Sequence, residues 1–321
     1  MTRPELPPNF PFSADHVLQY LNKIAFSAET TELPAPSLET LSQILNRHIK
    51  TIPFGGLGLV YYTHLDTPPS PVVNTLDPTS TRGVSVDPLA IFDKLVKQNR
   101  EGYCFEHATL VRMILEFLGF TVFLTCSRIF GPEGDDYDDI THSVLIVTIE
   151  HRQYLVDAGF SHFSIFRPVP LDGEVVEAEG KTAYRIIPDP HVDATHTHPG
   201  PTIQGYRLES RIRDKAWRIV QVFNRIPYFQ QDIESLNFVI VHSPKKVFNR
   251  KLILDLMIDD GYVCIFNNLL SVRVNGELVK KLVLNTEQDR REAYKTYFNI
   301  DIPSNYAEHL PKELEALLAN N

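Results

Sequence analysis

Cys104, His142 and Asp157 are the residues of this chain whose types and settings suit covalent chemistry. The thiol stands in NREGYCFEHATLVRMILEFLGF, Asn99 to Phe120, between a glycine–aromatic turn and the start of a periodic segment. A cysteine at a helix start lies beside free backbone N–H groups and the positive end of the dipole. Those surroundings favour the thiolate, the reactive form. Taken alone, Cys104 also reads as a small buried hydrophobe, as most free cysteines are. His142 and Asp157 lie in THSVLIVTIEHRQYLVDAGF. With Glu150-His151 as a two-residue hairpin turn, Gly159 falls opposite His142, and Asp157 is its diagonal neighbour on the same face. The carboxylate then reaches the imidazole Nδ1–H. Separately, the two read as a strand-start histidine and a turn former. Together with the cysteine they fill every role of a thiol triad: nucleophile, base, and the acid that orients the base. The N–H groups around Cys104 would bind the oxyanion.

The elements that must position these groups follow from periodicity. Ala108, Val111, Ile114, Leu115 and Leu118 recur at helical spacing, with Thr109, Arg112 and Glu116 on the wetter face. Helices are also expected over 16–25, 38–49 and 88–98, the first two behind serine caps. Beyond Gly119 the pattern changes to strands, at 121–129, 143–149, 153–160, 184–187, 206–210 and 216–223. His142 is expected to open one of them, and Asp157 to close the next. Strands at 238–242, 252–257, 262–266 and 269–274 and a helix over 287–298 follow, with an Asn275-Gly276 turn. Loops are expected at 63–85, at the acidic 131–140 and at 188–201. In the last, His191, His196 and His198 have no accompanying cysteine or carboxylate motif and read as a solvated loop, so no metal is expected. This order of thiol, histidine and acid fits papain-like peptidases, transglutaminase-like enzymes and thiol acyltransferases alike.

The 321 residues are 43% hydrophobic, enough for a large core and for two or three compact units. Three cysteines, Cys104, Cys126 and Cys264, argue for a reducing compartment rather than a disulfide framework. No secretory leader and no membrane span are expected, which points to the cytoplasm. A net charge of −9 disfavours nucleic acid, while a small anionic ligand needs only a local basic or amide-lined pocket.

Arg100-Glu101-Gly102-Tyr103-Cys104-Phe105-Glu106-His107, the intervals within the triad, and Val156-Asp157-Ala158-Gly159-Phe160 together resemble the arylamine N-acetyltransferase family. Ile52-Pro53-Phe54-Gly55-Gly56-Leu57 is similar to that family's I-P-F-E-N-L, and Ser243–Phe248 to its S-P-x-S-x-F. Tyr294–Ile300 resembles its closing helix. The resemblance implies an α+β fold with a cysteine-protease-like core: a helical bundle with the cysteine (1–118), a β-barrel with histidine and aspartate (119–228), and an α/β lid (229–321). It implies ping-pong transfer of an acyl group from acetyl-CoA, or another acyl-CoA such as malonyl-CoA, to an arylamine or hydrazine. Coenzyme A is then a co-substrate, with no permanently bound cofactor, and the setting is xenobiotic detoxification. Phe160, Phe54 and Tyr103 are the implied amine-side residues. Ser161 and Ser243 are the implied coenzyme-side residues, with Arg250 and Lys251 facing phosphate or an acyl carboxylate.

Several positions depart from the family pattern. The family's glutamate in P-F-E-N-L, which pairs with the arginine at the position of Arg100, is Gly55 here. Glu101 or Glu106 is expected to take over that pairing. The asparagine four residues after the cysteine is Ala108, and the glycine after V-D-A-G-F is Ser161. Two alternatives remain beside acyl transfer: a transglutaminase- or papain-like thiol hydrolase, and a weakly active member that binds an aromatic ligand.

Overall fold

The computed structural model describes residues 6–27, 32–62, 84–130, 137–177, 182–189 and 205–319. Residues 63–83 and 131–136 and the three loop histidines lie outside them.

Helices α1 (Ala14–Lys23) and α2 (Leu38–Thr51) start where the Ser13 and Ser37 side chains accept first-turn N–H groups. Two short strands follow, β1 (Phe54–Gly55) and β2 (Tyr61–Tyr62). The segment expected to be one helix divides into α3 (Pro88–Phe92) and a wider π turn, Asp93–Lys97. The π turn ends where Arg100 N–H donates to Lys94 C=O at 3.0 Å, and the chain turns toward Cys104. Helix α4 (Cys104–Leu118) begins at the thiol and stops at Gly119, whose φ of 95° is the left-handed conformation of a helix C-terminus. Its wetter face is narrower than the sequence suggests, because Thr109 is buried and α4 passes through the middle of the molecule.

The strands are β3 (Thr121–Phe130), β4 (Tyr137–Ile149), β5 (Arg152–Val156), β6 (Val169–Pro170), β7 (Val176–Glu177), β8 (Thr182–Asp189), β9 (Gly205–Ile212) and β10 (Arg218–Asn224). They form one antiparallel sheet in the order β6-β5-β4-β3-β10-β9-β8-β7. Edge strand β6 contacts β8, the strand next to the short opposite edge β7, which makes the sheet a nearly closed barrel. The apolar face of α4 packs against β3 and β4, so the N-terminal helices and the barrel share one hydrophobic core.

Helix α5 (Gln230–His242) replaces the strand expected at 238–242. Asp232 caps it by accepting from Phe229 N–H at 2.8 Å, and Ile233, Asn237, Ile240 and Val241 face inward at helical spacing. A short α6 (Val247–Arg250) precedes β11 (Ile253–Ile258), β12 (Gly261–Phe266), β13 (Leu269–Val274) and β14 (Glu277–Val283). Asn275 and Gly276, both at positive φ, make the β13–β14 turn. Helix α7 (Glu287–Phe298), strand β15 (Ala307–Glu308), paired with β2, and helix α8 (Lys312–Ala319) complete the chain. The second sheet runs β1-β11-β12-β13-β14 and has its own apolar core with α7 and α8. Strand β1 joins this sheet to the cysteine loop: Gly55 N–H donates to Gly102 C=O at 2.7 Å, and Gly102 N–H to Pro53 C=O at 3.1 Å. The architecture is therefore N-terminal helices, a barrel, and a C-terminal α/β region. No helix among the described residues is long and apolar enough to cross a membrane.

Candidate active site

Cys104 is the first residue of α4 and only 4% exposed. Two acids hold the loop before it. Glu106 accepts from Tyr103 N–H at 3.0 Å and pairs with Lys94 at 2.7 Å. Glu101, fully buried, pairs with Arg100 Nε at 3.0 Å and accepts from Gly58 N–H at 3.0 Å. Of the two carboxylates proposed as the arginine's partner, Glu101 holds that place, and Glu106 serves Lys94. Burial works against the Glu101 carboxylate, yet Arg100 and Lys94 bring its pKa below the ordinary value; burial raises that of Glu106. Gly55 leaves no room for the family's glutamate, since a Cβ there would lie 2.7 Å from the Ile253 carbonyl oxygen and 2.8 Å from Leu254.

His142 lies within β4 rather than at its start. Ser127 pairs with His142 and Arg128 with Ile140, so Thr141 is the extra residue of a β-bulge beside the histidine. The Thr141 carbonyl accepts from Cys104 Sγ at 3.5 Å. The β4–β5 ladder runs from Leu145–Val156 to Ile149–Arg152 around the Glu150-His151 turn, the register expected. Asp157 follows directly after β5. The ring nitrogen facing it is Nε2, at 2.8 Å from Oδ2, and not Nδ1 as the hairpin argument has it. The Cys104 thiol stands close enough to the same imidazole to act on its charge. Burial alone would lower the His142 pKa, but the Asp157 charge and hydrogen bond, with the Cys104 contact, raise it to about 10.

Asp157 is itself braced. Gln221 Nε2 on β10 donates to Oδ2 at 2.8 Å, and Gly159 N–H to Oδ1 at 3.3 Å. Gln221 in turn accepts from Ser127 Oγ at 2.5 Å. Neither Gln221 nor Ser127 is among the residues the sequence motifs mark; the available signal is a lone glutamine in the apolar run RIVQVF. Gly159 brings the barrel loop onto the thiol, since a Cβ there would stand 2.7 Å from His107 Cβ and 3.1 Å from Cys104 Cα.

Phe160 places its ring 4.6 Å from that of His142. Phe54 is half-buried, with its ring 6.2 Å from His107 and 6.0 Å from Phe248. Tyr103 is wholly enclosed between Phe105 and Phe248, so its side chain belongs to the core. Ser161, at φ 56°, donates from Oγ to Asp255 at 2.6 Å. Ser243 ends α5, where its carbonyl accepts from Asn249 Nδ2 at 3.0 Å. Arg250 and Lys251 pair with Glu313 of α8. A cleft of about 870 Å³ between α2 and the barrel edge, lined by Arg47, Tyr154 and Phe166 among others, contains none of the triad.

Residues 37–307 match the family model described as N-acetyltransferase. The chain belongs to the arylamine N-acetyltransferase family. Among its relatives, human arylamine N-acetyltransferase 1 is 25% identical over 293 residues, covering 88% of this chain and 93% of that one. The arylamine N-acetyltransferase structure from Nocardia farcinica superposes with a TM-score of 0.71 at 26% identity, covering 94% of this chain and 93% of that one. The Mycobacterium marinum arylamine N-acetyltransferase, solved in complex with CoA, gives 0.70 at 24% identity over 95% of this chain and 98% of its own. For this arylamine N-acetyltransferase family member, helices, barrel and C-terminal α/β region are thus the fold of its relatives.

Proposed function

We propose that this chain transfers the acetyl group of acetyl-CoA to the nitrogen of an arylamine or hydrazine through a thioester on Cys104. The observation that carries the reading is the buried imidazole of His142, hydrogen-bonded to Asp157 at 2.8 Å and standing beside the Cys104 thiol at the head of α4. A His142 pKa of about 10 favours an imidazolium beside the sulfur at neutral pH. The Cys104 sulfur, as thiolate, attacks the thioester carbonyl, and the oxyanion forms against the free first-turn N–H groups of α4. The C–S bond to coenzyme A breaks, and His142 gives its proton to the departing thiolate. Neutral His142 then takes a proton from the amine as its nitrogen attacks the Cys104 thioester. The Cys104–carbonyl bond breaks, the amide leaves, and thiolate and imidazolium are restored.

In this scheme 1–118 supplies the nucleophile, 119–228 the base and acid, and 229–321 the cover. Phe160 and Phe54 are the proposed amine-side surfaces, and Ser161 and Ser243 flank the coenzyme. A phosphate, or the carboxylate of a malonyl group, would have to compete with Glu313 for Arg250 and Lys251. The proposed setting is the cytoplasm, acting on xenobiotic amines.

Intact-mass measurement after incubation with acetyl-CoA tests the reading. One acetyl group per chain, absent in Cys104→Ala and discharged by an aromatic amine, is expected. A thiol that alkylates rapidly yet takes no acetyl group supports a hydrolase instead, and an inert thiol supports a ligand-binding member; either result overturns the proposal.

A further inference from the structure

The 3-10 turn Ser161–Phe163, directly after Phe160, leans on the second sheet where Asp255 of β11 and Cys264 of β12 stand opposite each other. His162 Nδ1 lies 3.0 Å from Asp255 Oδ1, and Ser161 Oγ donates to Oδ2. A nitrogen of His162, an oxygen of Asp255 and the sulfur of Cys264 all lie within 4.8 Å of one another. Asp255 is 2% exposed, and among the described residues its one ion-pair partner is His162. A buried carboxylate needs a positive partner, and an imidazole is one only when protonated.

We propose that His162, Asp255 and Cys264 form a binding site for a borderline-soft divalent cation of the zinc class, separate from the catalytic triad. One imidazole nitrogen, one thiolate and one carboxylate oxygen are a donor set that zinc accepts, with the fourth tetrahedral position left to water. Two of the donors sit on adjacent paired strands and the third on the adjoining turn, so the set is held by rigid elements. Ligand bonds of about 2.0–2.3 Å require any donors as far apart as 4.8 Å to close by about an ångström. On binding, Cys264 releases its thiol proton to solvent, and metal–ligand bonds replace the His162–Asp255 hydrogen bond. Stacking of His162 on Tyr262, with centroids 4.5 Å apart, fixes the plane of the ligating ring. Asp255 also anchors Ser161 in its left-handed conformation, so the ion would act on the turn that bears Phe160.

Cobalt(II) titration of the full chain carrying Cys104→Ala tests this without recourse to acyl transfer, and so stands apart from the reading above. One cobalt per chain is expected, with thiolate-to-cobalt charge-transfer absorption that zinc abolishes, and a higher Tm in the presence of zinc. Adding Cys264→Ser or His162→Gln should remove both the absorption and the Tm shift. His162 is the partly exposed member, so its substitution keeps the test decisive should Cys264→Ser fail to fold. No cobalt absorption in Cys104→Ala, or absorption that survives His162→Gln because Cys126 is its source, would overturn the proposal.

Discussion

Asp157 accepts three hydrogen bonds, from His142, Gln221 and Gly159, and each comes from a different part of the barrel wall. Its carboxylate therefore both charges and aims the imidazole. Asp157→Asn should keep the fold, since an amide fills the same volume. It should lower the rate of Cys104 acetylation by roughly 10³-fold or more, read by single-turnover mass measurement. The neutral amide no longer raises the His142 pKa, so the ring should lose its proton at a lower pH than in the wild type, read by NMR titration of the imidazole C–H signals. Cys104, His142 and Asp157 are legible in the sequence as candidates because their spacing within two short segments is distinctive. Gln221 is not, because it meets Asp157 only through a sheet that brings β10 beside β3, and no local pattern marks that meeting.

At the scale of elements, the cysteine loop is held by charge where its family uses a different position. Glu101→Gln would leave Arg100 buried without its carboxylate and should cost about 3–5 kcal/mol, measured by urea denaturation. Restoring the family's acid by Gly55→Glu should harm rather than help. The side chain would drive into Ile253 and Leu254, and a loss of about 1–3 kcal/mol or more is expected from the same measurement. Element type was readable wherever periodicity ran long, as in α2, α4 and α7. It failed at α5, where Phe238-Val239-Ile240-Val241 is a short apolar run that suits strand or helix equally. The deciding groups there are the Asp232 cap and Asn237, whose amide donates to Val84 C=O at 2.7 Å. No element is expected from the sequence at strand β14 or helix α8. Every residue of β14 is exposed, so no alternation marks it.

Across the whole molecule, a buried polar chain links three helices to the loops around the thiol. His107 Nε2 faces the carbonyls of Gly102 at 3.0 Å and Pro53 at 3.2 Å, so it carries the hydrogen. Its Nδ1 must then accept from His48 Nε2–H at 2.7 Å, and His48 Nδ1 from the Tyr20 hydroxyl at 2.9 Å. Tyr20→Phe leaves His48 with an unpaired buried acceptor and should cost about 1–3 kcal/mol in denaturant melts. Burial pushes His107 down to about 4 and His48 well below its ordinary value, whereas His142 rises to about 10. Below about pH 6.5 the unfolded chain gains protons that folded His48 and His107 refuse, so stability falls with acid. Above it, folded His142 keeps a proton that the unfolded chain loses, so the stability it contributes fades as pH rises toward about 10. Melts across pH should peak near 6.5, and Asp157→Asn should flatten the alkaline side alone. The closed space at Gly55 has a consequence for descent. Glutamate cannot enter at that position until Ile253 and Leu254 give way, and Glu101 cannot leave while Arg100 stays buried. The two ways of neutralising this arginine are thus separated by an epistatic valley, crossed only by several substitutions inherited together.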